Sequence, residues 1–172
     1  MVETRKYHSP KDYLDAAKSS ETSLEELSFL ATSEYDFVRL AVVANASVTS
    51  AILRIALPAK LDTWNSQNIA SGIGCNAKTP RDTMKQIAER LKPYLKDGRG
   101  NEMAARAALS FCNNPSAPLE ILMLVAGSRE TAVGIRKKIA SNSLRRDVVE
   151  AMRLDISEAV RKRAENRLRS LK

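Results

Sequence analysis

The chain has 172 residues and a net charge of +8, with only six glycines and six prolines. Aromatic residues make up 5% of the sequence, whereas 23 residues are alanine. This composition is poor in turn and strand formers and rich in helix formers, so it predicts an all-α chain and excludes wholesale disorder.

Ligand-bearing side chains are scarce. Two cysteines and one histidine argue against a disulfide framework, a zinc site or any cofactor held by such residues. The N-terminus lacks the apolar stretch of a signal peptide, and no run approaches the roughly 18 apolar residues of a membrane span. We therefore expect a cytoplasmic protein without a membrane partner.

A recurrent helix start is the first pattern along the chain. In this pattern an acidic residue follows two positions after a proline, or after the residue that stands in the place of the proline. Apolar residues then follow at helical spacing. Four segments show it, at 9–12, 22–25, 79–82 and 117–120, and a fifth at 48–57 lacks the acid. A preceding Ser or Thr would cap free N–H groups, and the acid favours the positive end of the helix dipole. Helices should therefore begin near residues 10, 23, 49, 80 and 118.

A second pattern lies between these starts and ends in asparagine. It occupies 38–45, 69–76 and 135–142, with a looser copy at 106–114. Each asparagine suits the left-handed turn that ends a helix. The repeating unit is thus a pair of short helices, with loops expected at 58–68 and 96–101. Pairs this short bury their apolar faces only by stacking. Residues 1–172 are therefore expected to form a single repeat domain of about five pairs, with 128–172 as its basic C-terminal cap.

The combined pattern resembles the leucine-rich repeat variant family, whose units are similar to HEAT-type helical repeats. The resemblance is carried by segments 27–33 and 38–45 and by the later spacings from Asn76 to Pro80 and from Asn114 to Pro118. It implies a right-handed superhelix of short helix pairs, with ordinary HEAT-like α-α pairs as the alternative. Residues 1–22 contain no cysteine, so the resemblance carries over no iron–sulfur cluster.

The positive charge is concentrated in the last quarter of the chain. Residues 1–127 have a net charge of +1 and residues 128–172 a net charge of +7. One interpretation is a polar cap that keeps the last repeat soluble. The other is a surface for the phosphates of nucleic acid or another polyanion. The candidate residues for that surface are Arg136, Lys137, Lys138, Arg161, Lys162 and Arg163.

Other chemistry-bearing residues recur at equivalent positions, which favours structural roles. Four arginines follow an apolar residue near the start of a second helix, and they form either a structural ladder or a row of anion-binding groups. Four acids occupy helix starts, where capping explains them without catalysis. Two cysteines stand at the end of the second helix of their units. Ala44 and Ser141 occupy the matching position in other units, so we expect a small buried residue at this position. Trp64 belongs either to a small satellite core or to an exposed contact. The repeated residues are Arg39, Arg106, Arg136 and Arg161; Asp12, Glu25, Asp82 and Glu120; and Cys75 and Cys112.

These observations predict a non-enzymatic helical-repeat scaffold for a protein partner. The alternative is polyanion or nucleic-acid binding through the basic C-terminal face. A third class, an enzyme on a helical scaffold such as the HEAT-like DNA glycosylases, would need a carboxylate and aromatic side chains converging in a cleft.

Overall fold

The computed structural model describes residues 7–96 and 102–171. Over these ranges the chain forms eleven α-helices and no strand, which confirms the all-α prediction. The helices are α1 (Pro10–Lys18), α2 (Leu24–Leu30), α3 (Asp36–Ala44), α4 (Ser50–Ala56), α5 (Trp64–Cys75), α6 (Arg81–Leu95), α7 (Glu102–Cys112), α8 (Leu119–Ala126), α9 (Val133–Asn142), α10 (Arg146–Met152) and α11 (Glu158–Ser170). The loop expected at 96–101 lies, from residue 97 onward, outside the described residues. No helix in the described ranges is both long and apolar enough to cross a bilayer.

The helices pack in two rows. Each odd-numbered helix from α1 to α9 contacts the next odd-numbered helix, and α2 contacts α4 while α6, α8 and α10 contact in succession. Most helices also contact their neighbours in the chain. The buried apolar side chains of both rows form one continuous core, which extends from Ala16 in α1 to Ala164 in α11.

The predicted helix starts lie within one residue of observed ones. The hydroxyl of Ser9 accepts a hydrogen bond from the backbone N–H of Asp12 in the first turn of α1, as expected. In α2 and α4 the capping hydroxyls belong to Ser23 and Thr49, one position later than the pattern places the cap. Helices α6 and α8 differ, because their N-caps are prolines without a side-chain cap. Thr79 does not cap α6; its hydroxyl instead donates a 2.5 Å hydrogen bond to the Ile73 carbonyl near the end of α5.

The recurrent asparagines end helices, but not through a left-handed turn. Asn45 and Asn76 have φ of −66° and −75° with extended ψ. Their side chains act instead, since the Asn45 amide donates to the carbonyls of Ala17 and Ser19, both at 2.9 Å. Asn45, Asn76 and Asn114 thus tie the ends of α3, α5 and α7 to the preceding odd-numbered helix. Asn142 does not take part, because it lies inside α9 and Ser143 follows as the C-cap.

One other expectation is corrected by the structure, and one open alternative is decided by it. The loop predicted at 58–68 ends at Thr63, because Thr63 and Ser66 form reciprocal capping hydrogen bonds that start α5 at Trp64. Trp64 is 61% exposed, which places it on the surface rather than in a satellite core. Helix α10 was not predicted, since its buried Val148, Val149 and Met152 stand within a strongly basic stretch.

Candidate functional site

Arg136, the first residue of the predicted polyanion surface, lies inside the protein. Its side chain is 2% exposed and its Nε donates a 2.8 Å hydrogen bond to Oδ2 of Asp155, which is itself 5% exposed. Nη1 also donates to the Thr131 carbonyl oxygen at 2.5 Å. Because a buried guanidinium with these partners cannot reach a phosphate, Arg136 is a structural residue and does not belong to a surface site.

Arg161 also serves the fold. Its side chain is half-buried, and Nη1 donates to the carbonyl oxygens of Asp155 at 2.8 Å and Ile156 at 3.1 Å. Arg39 behaves similarly, with Nη2 donating to the Ala56 carbonyl oxygen at 2.9 Å. Arg106 is exposed on α7. Three of the four recurrent arginines therefore satisfy backbone carbonyls, as the ladder interpretation predicts.

Four of the predicted basic residues remain at the surface. Lys138, Lys162 and Arg163 are exposed and Lys137 is half-buried. Lys137 and Lys138 lie on α9, and Lys162 and Arg163 lie on α11. These two helices pack together. Within the described residues, none of the four side chains has a hydrogen bond or an ion pair. We call these four residues the basic surface.

The four recurrent acids act at helix starts, as predicted. Asp12 accepts hydrogen bonds from the N–H groups of His8 and Ser9, which lower the pKa of its carboxyl. Asp82 pairs with Arg54 at 3.0 Å, and Glu120 pairs with Arg81 at 2.8 Å. Glu25 lies in the first turn of α2. The two ion pairs join neighbouring even-numbered helices, which the sequence pattern did not predict.

The cysteines differ from the expectation of two equivalent buried residues. Cys112 is fully buried, and desolvation raises the pKa of its thiol to about 12. Cys75 is exposed, as is Ala44. The reason is register: the asparagine that ties α7 to α5 is Asn114, so the residue equivalent to Cys75 is Asn113 rather than Cys112.

An aromatic cluster with two exposed and three half-buried rings lies at the N-terminal end of the described residues. It consists of five rings from the first three helices and their flanks: Tyr7, Tyr13, Phe29, Tyr35 and Phe37. The rings of Tyr7 and Tyr13 stack with centroids 4.1 Å apart, and those of Tyr35 and Phe37 stack at 5.5 Å. Tyr13 joins the two pairs through an edge contact with Tyr35 at 5.8 Å. Phe29 is 56% and Phe37 43% exposed. We call these five residues the aromatic surface.

Two carboxylates lie beside tyrosine rings of the aromatic surface. The Tyr7 hydroxyl donates a hydrogen bond to Glu26. The negative charge of Glu34 raises the pKa of the neighbouring Tyr35 hydroxyl. Residues 7–37 contain seven acidic side chains and two lysines. The aromatic surface therefore lies in a region of negative potential.

Sequence reasoning missed this surface, although a signal was present. Five of the eight aromatic residues fall within the first 37 positions. Their positions do not share one helical periodicity, because they belong to three helices. Only the packing of α1 and α2 against α3 brings them together.

Two clefts open at the surface of the described residues. One cleft of about 280 Å³ is lined by Met123, Leu154 and Ile156 beside the ion-paired Asp155. Another is a shallow groove lined by Arg81, Asp82, Lys85, Glu120, Ile121 and Leu124. Neither brings an aromatic side chain to a carboxylate. Across residues 7–96 and 102–171 no three His, Cys, Asp or Glu side chains are placed to hold a metal ion.

Comparison of the sequence with protein-family models and with curated proteins gives no match, and comparison of the structure with solved structures gives none either. The resemblance to the leucine-rich repeat variant family therefore stays a prediction that rests on the quoted residues alone.

Proposed function

We propose that this chain is a non-enzymatic helical-repeat scaffold that binds a protein partner through its aromatic surface. The proposed architecture is a solenoid of short helix pairs, a right-handed superhelix of the leucine-rich repeat variant or HEAT type. Two observations support it: the side-by-side packing of the odd-numbered helices, and the recurrence of the asparagine contact at Asn45, Asn76 and Asn114. Such scaffolds present extended surfaces to their partners.

The exposure of Phe29 and Phe37 carries the functional proposal. Both rings leave about half of their area in solvent, although each of them stacks on a tyrosine ring. Contiguous exposed apolar side chains mark interaction sites in soluble proteins. Aromatic residues also supply most of the binding energy in many interfaces.

The charge around the rings defines the chemistry of the partner. Seven acidic side chains against two lysines over residues 7–37 favour a positively charged segment. Arginine and lysine can place their cationic groups over aromatic faces, which adds a favourable interaction of about 0.5–2 kcal/mol. We therefore propose a basic, partly apolar protein segment as the partner.

Fluorescence anisotropy with a labelled peptide of alternating arginine and leucine tests this proposal. The wild-type chain should bind this peptide and not a glutamate–leucine peptide of equal length. Replacing both Phe29→Ala and Phe37→Ala should weaken binding by about tenfold or more, because each buried aromatic contact contributes at least ~1 kcal/mol.

A matched control is available in Trp64→Ala, since Trp64 is an equally exposed aromatic residue outside the aromatic surface. This variant should bind like the wild type. No binding to the basic peptide, or equal loss in the control and the double variant, would contradict the proposal.

A second candidate function is polyanion binding through the basic surface. It is favoured by four basic side chains on two packed helices, none of which has an anionic partner within the described residues. Such groups are available for phosphates. Duplex DNA and structured RNA should then bind at about 50 mM salt and lose orders of magnitude of affinity at about 200 mM.

Substitution of the basic surface separates this function from nonspecific attraction. Replacing Lys137, Lys138, Lys162 and Arg163 by glutamine should abolish nucleic-acid binding if the surface is the site. A variant with Lys11, Lys18, Lys60 and Lys85 replaced removes the same charge elsewhere and should retain most of it. Equal losses in the two variants would reject a defined polyanion site.

A further inference from the structure

The two ends of the chain expose most of its large apolar side chains. Nine such residues are exposed within the described ranges, and seven of them lie in residues 7–37 or 128–171. The N-terminal region exposes Leu24, Phe29 and Phe37, and the C-terminal region exposes Val133, Leu144, Leu154 and Ile156. Exposed apolar side chains that lie close together mark interaction surfaces in soluble proteins.

The two ends also carry opposite charge. Residues 7–37 contain seven acidic and two basic side chains, a net charge of −5. Residues 128–172 contain thirteen basic and six acidic side chains, a net charge of +7. Leu154, which is 87% exposed, and Ile156, which is 62% exposed, lie between α10 and α11 and line one cleft with Arg129. The C-terminal end is thus a basic and partly apolar surface, which is the chemistry expected of the partner.

We propose that the partner of the aromatic surface is a second copy of this chain, bound head to tail through its C-terminal end. This inference rests on the proposed function, because it uses the same aromatic surface. Phe29 and Phe37 of one copy would contact the segment around Leu154 and Ile156 of the next. The acidic and basic residues that flank these contacts would face each other, which favours association.

Charge also selects the arrangement of the copies. A symmetric dimer through two aromatic surfaces would bring two regions of net charge −5 together, and a dimer through two C-terminal ends would bring two regions of +7 together. Like charges oppose both arrangements. A head-to-tail contact pairs opposite charges and leaves one free end of each kind, so association continues beyond the dimer unless a ring closes.

Sedimentation velocity of the full chain at about 50 mM salt tests the association. The average mass should rise with concentration over about a hundredfold range, as mass action requires. Raising the salt to about 500 mM should shift the distribution back toward monomer, because screening weakens the attraction between the ends.

Two double variants test the geometry. Phe29→Ser with Phe37→Ser removes the apolar contacts of the N-terminal end, and Leu154→Ser with Ile156→Ser removes those of the C-terminal end. All four side chains are exposed, so both variants should keep the helical circular dichroism of the wild type. Each variant alone should be monomeric. An equimolar mixture should form a complex of one copy of each, since each supplies the end that the other lacks.

The outcomes separate this inference from the proposed function. Growth of the wild type together with one-to-one pairing of the two variants supports the head-to-tail contact. A wild type that stays monomeric overturns it, as does a single variant that still dimerises. If a monomeric wild type still binds the arginine–leucine peptide and loses it with Phe29→Ala and Phe37→Ala, the proposed function stands with a different protein as partner. If the wild type neither associates with itself nor binds the arginine–leucine peptide, both proposals fail.

Discussion

The side-chain amide of Asn114 donates a 2.7 Å hydrogen bond to the carbonyl oxygen of Gly74, which lies forty positions earlier in the chain. Gly74 belongs to the last turn of α5 and Asn114 follows α7, so this bond joins the ends of two adjacent helices. The same amide donates to the Asn76 carbonyl oxygen at 2.9 Å, and its own carbonyl oxygen accepts from the Ser116 N–H. Asn114 thus forms hydrogen bonds with three backbone groups at or just beyond the ends of α5 and α7.

Replacement of this asparagine should be costly. Asn114 is fully buried, and Asn114→Ala would remove the hydrogen-bond partner of the Gly74 carbonyl and of the Ser116 N–H. It would also remove one of the two hydrogen bonds that the Asn76 carbonyl accepts. A buried polar group without a hydrogen bond costs about 1–3 kcal/mol. We expect the free energy of unfolding to fall by about 2–4 kcal/mol, measured by urea denaturation followed by circular dichroism.

The control for this variant is Asn142→Ala. Asn142 is the same residue type at the end of α9, but it is exposed and its amide donates only to the Lys138 carbonyl of its own helix. Its replacement should change stability by no more than about 0.5 kcal/mol. Equal effects of the two replacements would show that the contact between helix ends contributes little.

The asparagine contacts also show which features were accessible from the sequence. The recurring residue and its spacing were visible, because a repeated local requirement leaves a repeated residue. The partners were not visible, since each hydrogen bond spans 26 to 40 positions and depends on how the helices stack. The register of Cys112 was misassigned for this reason. Two asparagines stand at 113 and 114, and only the packing against α5 decides between them.

The candidate site was less accessible than the fold. Net charge pointed to the C-terminal end, but it could not distinguish Arg136, which is buried against Asp155, from Lys138, which is exposed. Burial of a long charged side chain depends on a partner elsewhere in the chain, and a single sequence does not reveal that partner. The aromatic surface was not predicted for a related reason, because its rings come from three helices and the segments that flank them.

The buried ion pair between Arg136 and Asp155 gives a second prediction. Arg136→Met would leave the Asp155 carboxylate in a site where it is 5% exposed, without its cation. Removing one member of a buried pair typically costs about 3–5 kcal/mol. We expect a loss of this size in the free energy of unfolding, whereas Lys138→Met, which makes the same kind of change on the exposed face of α9, should have little effect. A small loss in Arg136→Met would show that water reaches Asp155.

The two thiols should react at very different rates. Cys75 is exposed, whereas Cys112 is fully buried and burial raises the pKa of its thiol to about 12. Because the thiolate is the reactive form, a thiol reagent at pH 8 should modify one cysteine in the native chain and both after unfolding in urea. A Cys75→Ser variant should then show no modification until it unfolds. Rapid native modification of that variant would contradict the burial of Cys112.

The ion pair between Arg145 and Asp147 predicts a specific acid sensitivity. Arg145 donates through Nε to Oδ1 of Asp147 at 2.8 Å, and this hydrogen bond holds the pKa of the Asp147 carboxyl below its usual range. A carboxyl with a lowered pKa in the folded state adds stability above its unfolded pKa of about 3.9, and this contribution is lost as the pH falls through the folded value. Asp147→Asn should therefore be less stable than the wild type at pH 7.

The pH dependence of that difference is the decisive measurement. Because the wild type loses the contribution of Asp147 in acid and the variant never has it, their melting temperatures should converge as the pH falls from 6 toward about 3. Asp62→Asn is the matched control, since Asp62 is exposed and has no ion pair within the described residues. Its melting temperature should follow that of the wild type throughout. A constant gap between Asp147→Asn and the wild type across this range would mean that the variant acts through packing around Arg145, and not through the charge of Asp147.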